Sequence, residues 1–297
     1  MASPEFHAVQ AAMAERPAPP PDEDIVAQRR RIDEAMSQMP LADGVQAVPF
    51  VRGGVSGIEC RPAVLPHDAP IVVYLHGGGF RIASALAYRS HGSHLAKVLG
   101  ARVLLVDYRL APEHPFPAAV DDCFAVWESL LADGFDAHRI VIAGDSAGGG
   151  LAASVALHAL ADGVLPAGIV CLSPWVDLRV QNASYDTRAE ADKLFSRAQA
   201  LEARAAYLGE HDPNDPLASP VLGDWSGAPP MLVMVGEAEV LYDDARALVD
   251  AAEDCGVDVT WSAYPEMPHI WMMSYPAFPE AVAGVEECAA FVRRVTG

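Results

Sequence analysis

The chain has 297 residues, 52% of them hydrophobic, with 20 basic side chains against 40 acidic ones and a formal net charge of -20. That length suits one large α/β domain or two small ones and allows a substantial core. The acidic balance speaks against nucleic acid or an anionic membrane surface as partner, because phosphate binding rests on clustered Lys and Arg.

From Met1 to about Pro40 the chain is alanine-rich and broken by Pro17, Pro19, Pro20 and Pro21. Pro21-Asp22-Glu23-Asp24 then opens a helix with acids in its first turn. Ile25, Ile32 and Met36, with Val26 and Met39, give that helix an apolar stripe, which suits either a lid over a pocket or plain packing. Val45 to Val51 and Gly57 to Pro62 read as two antiparallel strands turning at Gly53-Gly54. Ile71 to Leu75 is a buried strand, and His76-Gly77-Gly78-Gly79-Phe80 follows at once. A helix over Tyr88 to Leu99 leads to a strand from Arg102 to Val106, a proline-punctuated loop to Pro117 and a helix from Ala118 to Leu131.

Arg139 to Ala143 is a short β-branched strand, and an alanine-rich helix runs from Ala147 to Leu160. Between them, Gly144-Asp145-Ser146-Ala147-Gly148 fits G-x-S-x-G, the strand-turn-helix elbow that holds a nucleophilic serine. A strand from Gly168 to Leu172 ends in Ser173-Pro174-Trp175. Val176 to Pro220 has little strand character, one helix from Arg197 to Tyr207 and many charges, which marks an insertion between sheet strands. Met231 to Val235 resumes the sheet, followed by a helix over Asp243 to Asp254, a strand over Val257 to Tyr264 and a closing helix from Pro279 to Val295. Strands alternating with helices imply a mostly parallel sheet covered on both faces.

A serine hydroxyl is a poor nucleophile until a base takes its proton, and the base must be held in the correct tautomer. Chain order in this architecture runs serine, acid, histidine. Of the histidines after Ser146, His158 lies on the serine's own helix and His211 in the charged insertion. His269, in the loop after the last strand, is therefore the expected base. The acid should follow the strand ending at Val235. Glu239 is the choice, with Asp243 the alternative and Asp243-Asp244 expected to cap the next helix. The N–H groups of Gly78, Gly79 and Ala147 are candidates for an oxyanion hole.

The glycine triplet is not a phosphate loop, since no Lys-Ser/Thr follows it, and Gly144, Ser146 and Gly149 miss the middle glycine of G-x-G-x-x-G. No histidines or cysteines stand at metal-ligand spacing; His91 and His94, three apart on a helix, read as surface residues. No cofactor or metal is called for. Five scattered cysteines (Cys60, Cys123, Cys171, Cys255, Cys288) form no C-x-x-C and read as thiols rather than disulfides. No apolar run reaches the ~18–20 residues of a membrane span, and no apolar segment near the N-terminus marks a secretory signal. The expected location is the cytoplasm.

His76-Gly77-Gly78-Gly79, Tyr108-Arg109-Leu110-Ala111-Pro112-Glu113-His114-Pro115-Phe116-Pro117 and Gly144-Asp145-Ser146-Ala147-Gly148-Gly149 closely resemble the hormone-sensitive-lipase family of bacterial carboxylesterases, in its GDSAG branch. The similarity extends from Ile71 to the C-terminus. Where that family carries Asp-Pro-Leu, this chain has Glu239-Val240-Leu241. The resemblance implies an α/β-hydrolase fold of about eight strands, residues 46–297, with a helical cap built from residues 1–45 and the insertion near 176–220. It implies hydrolysis of short- to medium-chain acyl esters without cofactor and, in some members, a homodimer through the last edge strand. It also makes the Tyr108–Pro117 stretch and Asp145 structural supports. Phe80, Trp175 and Trp271, beside the catalytic loops, are candidates to line the acyl or alcohol pocket. The expectation is a serine carboxylesterase acting on small-molecule esters. An amidase or acyltransferase with the same machinery, and a non-catalytic binding protein on this scaffold, are the alternatives.

Overall fold

The computed structural model describes residues 1–15, 20 and 23–297, so the expected helix start at Pro21-Asp22 and the prolines at 17, 19 and 21 lie outside the described residues. Two helices lead the chain, α1 (Pro4–Ala14) and α2 (Ile25–Ser37). The second starts at Ile25 because the Asp24 carboxylate accepts the Ala27 N–H at 2.8 Å, an N-cap. Strands β1 (Val45–Arg52) and β2 (Val55–Pro62) form a hairpin. Arg52 pairs with Val55 across Gly53 and Gly54, both at positive φ, a turn that draws the second strand two residues further back than the expected Gly57.

The alternating part follows: β3 (Ile71–Leu75), α3 (Ala85–Leu99), β4 (Arg102–Val106), α4 (Ala118–Ala132), β5 (Ile140–Asp145), α5 (Ala147–Asp162) and β6 (Gly168–Leu172). The stretch 176–220 contributes α6 (Ser184–Thr187) and α7 (Arg197–Leu208). The chain then returns through β7 (Met231–Gly236), α8 (Tyr242–Asp254), β8 (Val259–Tyr264) and α9 (Pro279–Thr296).

The eight strands make one sheet in the order β1-β2-β4-β3-β5-β6-β7-β8. β2 alone points the opposite way, pairing antiparallel with β1 and β4; β4, β3 and β5 to β8 pair in parallel. Central strands of such a sheet are buried on both faces, which is why they read as unbroken apolar runs. Alternate residues divide between two cores. Val73, Ile142 and Val233 face α4, α5 and α8, whereas Val72, Val141 and Leu232 face α3 and α9.

Chain order reverses between β3 and β5: the link after β3 leads to β4 on one side, that after β5 to β6 on the other. The carboxyl ends of those two strands therefore bound a crevice, the place where open α/β sheets bind ligands.

Beyond shifts of two or three residues at the ends of β2, α3 and β8, three details differ from the sequence reading. Residues 4–14, read only as alanine-rich, form α1, which sets the Phe6 ring 5.3 Å from Phe278, at the start of α9. His91 is buried rather than exposed, enclosed by Tyr74 and Tyr88, because α3 is covered by α2 and α9 as well as by the sheet. Asp243 and Asp244 begin α8 but do not cap it. Their carboxylates accept instead from the Ser184 N–H and from Asn182 Nδ2 and the Asp177 N–H, tying the 176–220 stretch down. All five cysteines are free thiols, four of them buried.

Candidate active site

Ser146 stands between β5 and α5 at φ 54°, ψ −122°, outside the ordinary backbone regions. Its carbonyl accepts the Trp175 N–H and its own N–H donates to Leu172, both at 2.9 Å, so the turn is clamped from the β6 side. The tightness explains the flanking glycines. A Cβ on Gly144 would meet the Gly148 carbonyl oxygen at 2.2 Å, and one on Gly148 would meet the Leu75 oxygen at 1.9 Å. No side chain fits either place.

Asp145 links this turn to the glycine loop after β3. Its carboxylate accepts from Tyr74 and Tyr88 hydroxyls, both at 2.9 Å, and from the Gly77 N–H at 3.2 Å. Burial pushes that carboxyl up to about 6 against the hydrogen bonds that favour its charge. Under the loop, the Tyr108 hydroxyl donates to the His76 carbonyl at 2.6 Å and its ring stacks on the imidazole at 4.3 Å. Burial takes His76 down to about 4, so it stays neutral. The Gly78 and Gly79 N–H groups have no acceptor among the described residues. Ala147, the first residue of α5, has none within its helix.

His269 hangs in the loop after β8 and reaches both partners. Its Nε2 lies 2.9 Å from Ser146 Oγ, and its Nδ1 lies 2.5 Å from Glu239 Oε2. Glu239, in the loop after β7, is fully buried, and its other oxygen accepts from Gly236 N–H at 2.6 Å and Ser173 Oγ at 2.8 Å. Burial alone would lower the His269 value. The charge and hydrogen bond of Glu239, with Asp192 and Asp145 behind, outweigh it and hold the imidazole above its ordinary range. Asp243 makes no such contact; His158 stacks on Phe124, and His211 pairs with Asp215 at 2.8 Å.

Ser146 and His269 line a cleft of about 280 Å³ together with Gly78 and Gly79, with Glu239 buried behind the imidazole. Ile82, Leu194, Phe195, Ala203 and Ile270 give it apolar walls; Gln28, Arg81 and Gln199 add polar ones. The three aromatic residues expected to line it do not. Phe80 is 3% exposed and stacks on Tyr207 at 3.8 Å, Trp175 is 1% exposed behind Phe195, and Trp271 is 2% exposed with its Nε1 donating to the Glu280 carbonyl. Each ring is too far into the core to meet a ligand. Of the N-terminal segment, Gln28 on α2 reaches the cleft, and α2 is fixed by Arg29, which donates to the Arg81 and Ala111 carbonyls and to Glu113.

Ser173 and Asp192 escaped the sequence reading. Ser173 Oγ donates to Glu239 and accepts the Ile270 N–H at 3.1 Å, joining the loops that carry Glu239 and His269. Its only signal was its place directly after β6, on the edge where the other site loops emerge. Asp192, two residues before Leu194 and three before Phe195, had the spacing of a side chain that closes a turn.

Among the described residues, no group of three or more His, Cys, Asp or Glu side chains gathers as a metal would require, and no helix is long and apolar enough to cross a membrane.

Residues 72–273 match the family model described as alpha/beta hydrolase fold. The chain is 45% identical over 239 residues to an acetyl-hydrolase of Streptomyces hygroscopicus, covering 80% of this chain and 79% of that protein. It is 34% identical over 263 residues to an esterase of Acinetobacter venetianus, covering 88% and 86% respectively. A crystal structure of an esterase from the bacterial hormone-sensitive lipase family superposes with a TM-score of 0.94 at 40% identity, over 100% of both chains. With the sheet order, the serine elbow and these likenesses together, the chain belongs to the alpha/beta hydrolase family, among its bacterial hormone-sensitive-lipase esterases.

Proposed function

We propose that the protein is a serine carboxylesterase for short- to medium-chain acyl esters. Ser146 is the nucleophile, His269 the base and then the acid, and Glu239 the residue that orients His269. The N–H groups of Gly78, Gly79 and Ala147 receive the oxyanion. The observation that carries this reading is the unbroken hydrogen-bonded line from Ser146 Oγ through His269 to Glu239, opening on a cleft.

With Nδ1–H turned to Glu239, the Nε2 lone pair faces the serine hydroxyl and takes its proton as Oγ attacks the ester carbonyl. The imidazolium so formed lies between the serine and a buried carboxylate, which stabilises its charge. It returns the proton to the departing alcohol. Water then repeats the sequence on the acyl enzyme and releases the acid. Free backbone donors in a glycine loop, without side chains to block the carbonyl, stabilise the tetrahedral oxyanion by roughly 3–4 kcal/mol per donor.

A cleft of about 280 Å³ lies at the small end of ligand sites and favours compact acyl groups. The relative named an acetyl-hydrolase points the same way. Helix α2 and the 176–220 stretch supply the cap over this cleft, through Gln28 and through Leu194, Phe195 and Ala203.

The test is a series of p-nitrophenyl esters from acetate to decanoate, with the matching anilides, on wild type and Ser146→Ala. Hydrolysis should be fastest on the shortest esters, far slower on the anilides, and abolished in the variant. Undiminished ester hydrolysis by Ser146→Ala would overturn the assignment, and faster turnover of the anilides would make the protein an amidase.

A further inference from the structure

We propose that Asp192 is a positioning residue that couples the wall of the cleft to the Glu239–His269 pair. The proposal rests on the esterase reading above and adds to it a residue outside the triad. Asp192 lies in the 176–220 stretch just before α7 and is 7% exposed. One carboxylate oxygen accepts the N–H groups of Leu194 and Phe195, both at 2.9 Å, closing the turn that presents these two side chains to the cleft. The other accepts the N–H of Val240 at 2.9 Å, the residue directly after Glu239.

Two loops that the sequence keeps nearly fifty residues apart (|i−j| = 48) thus share one buried carboxylate. Further bonds hold the same junction. Ser184 Oγ donates to the Val240 carbonyl at 2.5 Å, Arg188 donates to the Glu237 carbonyl, and the Arg188 guanidinium lies 3.9 Å from the Tyr242 ring centre. On the other side Phe195 stacks on the His269 ring, centroids 6.0 Å apart and planes 18° apart. A ligand that presses on Leu194 or Phe195 therefore presses on a turn bonded to the acid loop.

Neither function of that turn requires a negative charge. Asparagine closes the same turn with its amide oxygen. What the carboxylate adds is a second acceptor for Val240 and a charge that favours the imidazolium. Three carboxylates act on His269, those of Glu239, Asp145 and Asp192. Arg81, the cation lining the same cleft, is paired with Glu202 at 2.7 Å.

Asp192→Asn separates the two contributions. It keeps the turn to Leu194 and Phe195 but puts an NH2 group against the Val240 N–H and removes the charge. We expect the plateau kcat for p-nitrophenyl acetate to fall roughly three- to tenfold. The acidic limb of kcat/KM should move to lower pH by roughly half a unit, because less negative charge faces His269. KM should stay near wild type. Asp192→Ala loses the turn as well, so its KM should rise. Rates are normalised to sites labelled by a fluorophosphonate, which discounts misfolded protein. A pH limb unmoved in Asp192→Asn, with wild-type kcat per labelled site, overturns the proposal and leaves the esterase reading intact. Full activity in Ser146→Ala sinks the esterase reading, whatever residue 192 does.

Discussion

Glu239→Gln is the sharpest perturbation of the site, because the contacts of this side chain dictate how the amide must sit. In the wild type, Oε1 accepts from Gly236 N–H and Ser173 Oγ, and Oε2 faces His269 Nδ1. The Gly236 N–H can only donate, so the glutamine oxygen must take the Oε1 place and its NH2 must face the imidazole. His269 Nδ1 then has to accept, the ring proton moves to Nε2, and the serine hydroxyl meets a donor where it needs a base. In a Ser-His-Asp triad the corresponding acid-to-amide change lowers kcat about 10⁴-fold through this tautomer. The expectation here is a fall of roughly 10³–10⁴, which is about 4–5.5 kcal/mol of barrier.

Stability should change far less than activity. The substitution removes a buried charge together with its desolvation cost, and the two donors on Oε1 keep their acceptor. Asp243→Asn serves as the control. That carboxylate accepts the Ser184 N–H at 2.7 Å and has no contact with His269, so its kcat should stay within about threefold of wild type. The assay is steady-state hydrolysis of p-nitrophenyl acetate, with circular dichroism to establish the folded fraction. If Glu239→Gln keeps more than roughly a tenth of the wild-type kcat, the tautomer argument is wrong. If Asp243→Asn falls as far as Glu239→Gln, the acid has been misassigned.

Three other outcomes are expected. If His269 is the base proposed above it must be neutral to act, and its neighbours hold the imidazole above its ordinary range, so kcat/KM should rise with pH through a midpoint above ~6.5; a midpoint at or below that value would mean burial outweighs the carboxylates. Gly148→Ala places a Cβ 1.9 Å from the Leu75 carbonyl oxygen, backbone against backbone, and should cost roughly 3 kcal/mol or more in urea unfolding. A loss under ~1 kcal/mol would show that the elbow yields. Arg29→Ala should raise KM with little change in kcat, because it releases the helix that brings Gln28 to the cleft. Its stability cost should be about 1–2 kcal/mol from the two carbonyl bonds, the half-exposed Glu113 adding little. An unchanged KM would place Gln28 outside substrate binding.

The central sheet was legible because its strands admit one reading. β3, β5, β6 and β7 are short and almost wholly apolar, as strands buried on both faces tend to be. Helix α1 was not, since an alanine-rich run whose one buried side chain is Phe6 carries almost no stripe. His91 misled for a related reason: spacing on a helix says which residues share a face, and α3 has partners on more than one side.

The site divides along a different line. The structure brings Ser146, after β5, Glu239, after β7, and His269, after β8, into one hydrogen-bonded line, and they could be picked from the sequence because the proposed chemistry admits few residue types. Much of the cleft wall comes instead from Leu194, Phe195 and Ala203, in a stretch whose packing partners belong to other parts of the chain. The expected aromatic lining failed because large rings beside a site fill the core beneath it more readily than they stand in the opening. Ser173 and Asp192 were the hardest to find. Each binds a main-chain N–H in a remote loop, of Ile270 in one case and of Val240 in the other, and every residue but proline offers that donor. A residue that answers to a backbone group leaves no partner to search for, so its role emerges only once the loops are seen side by side.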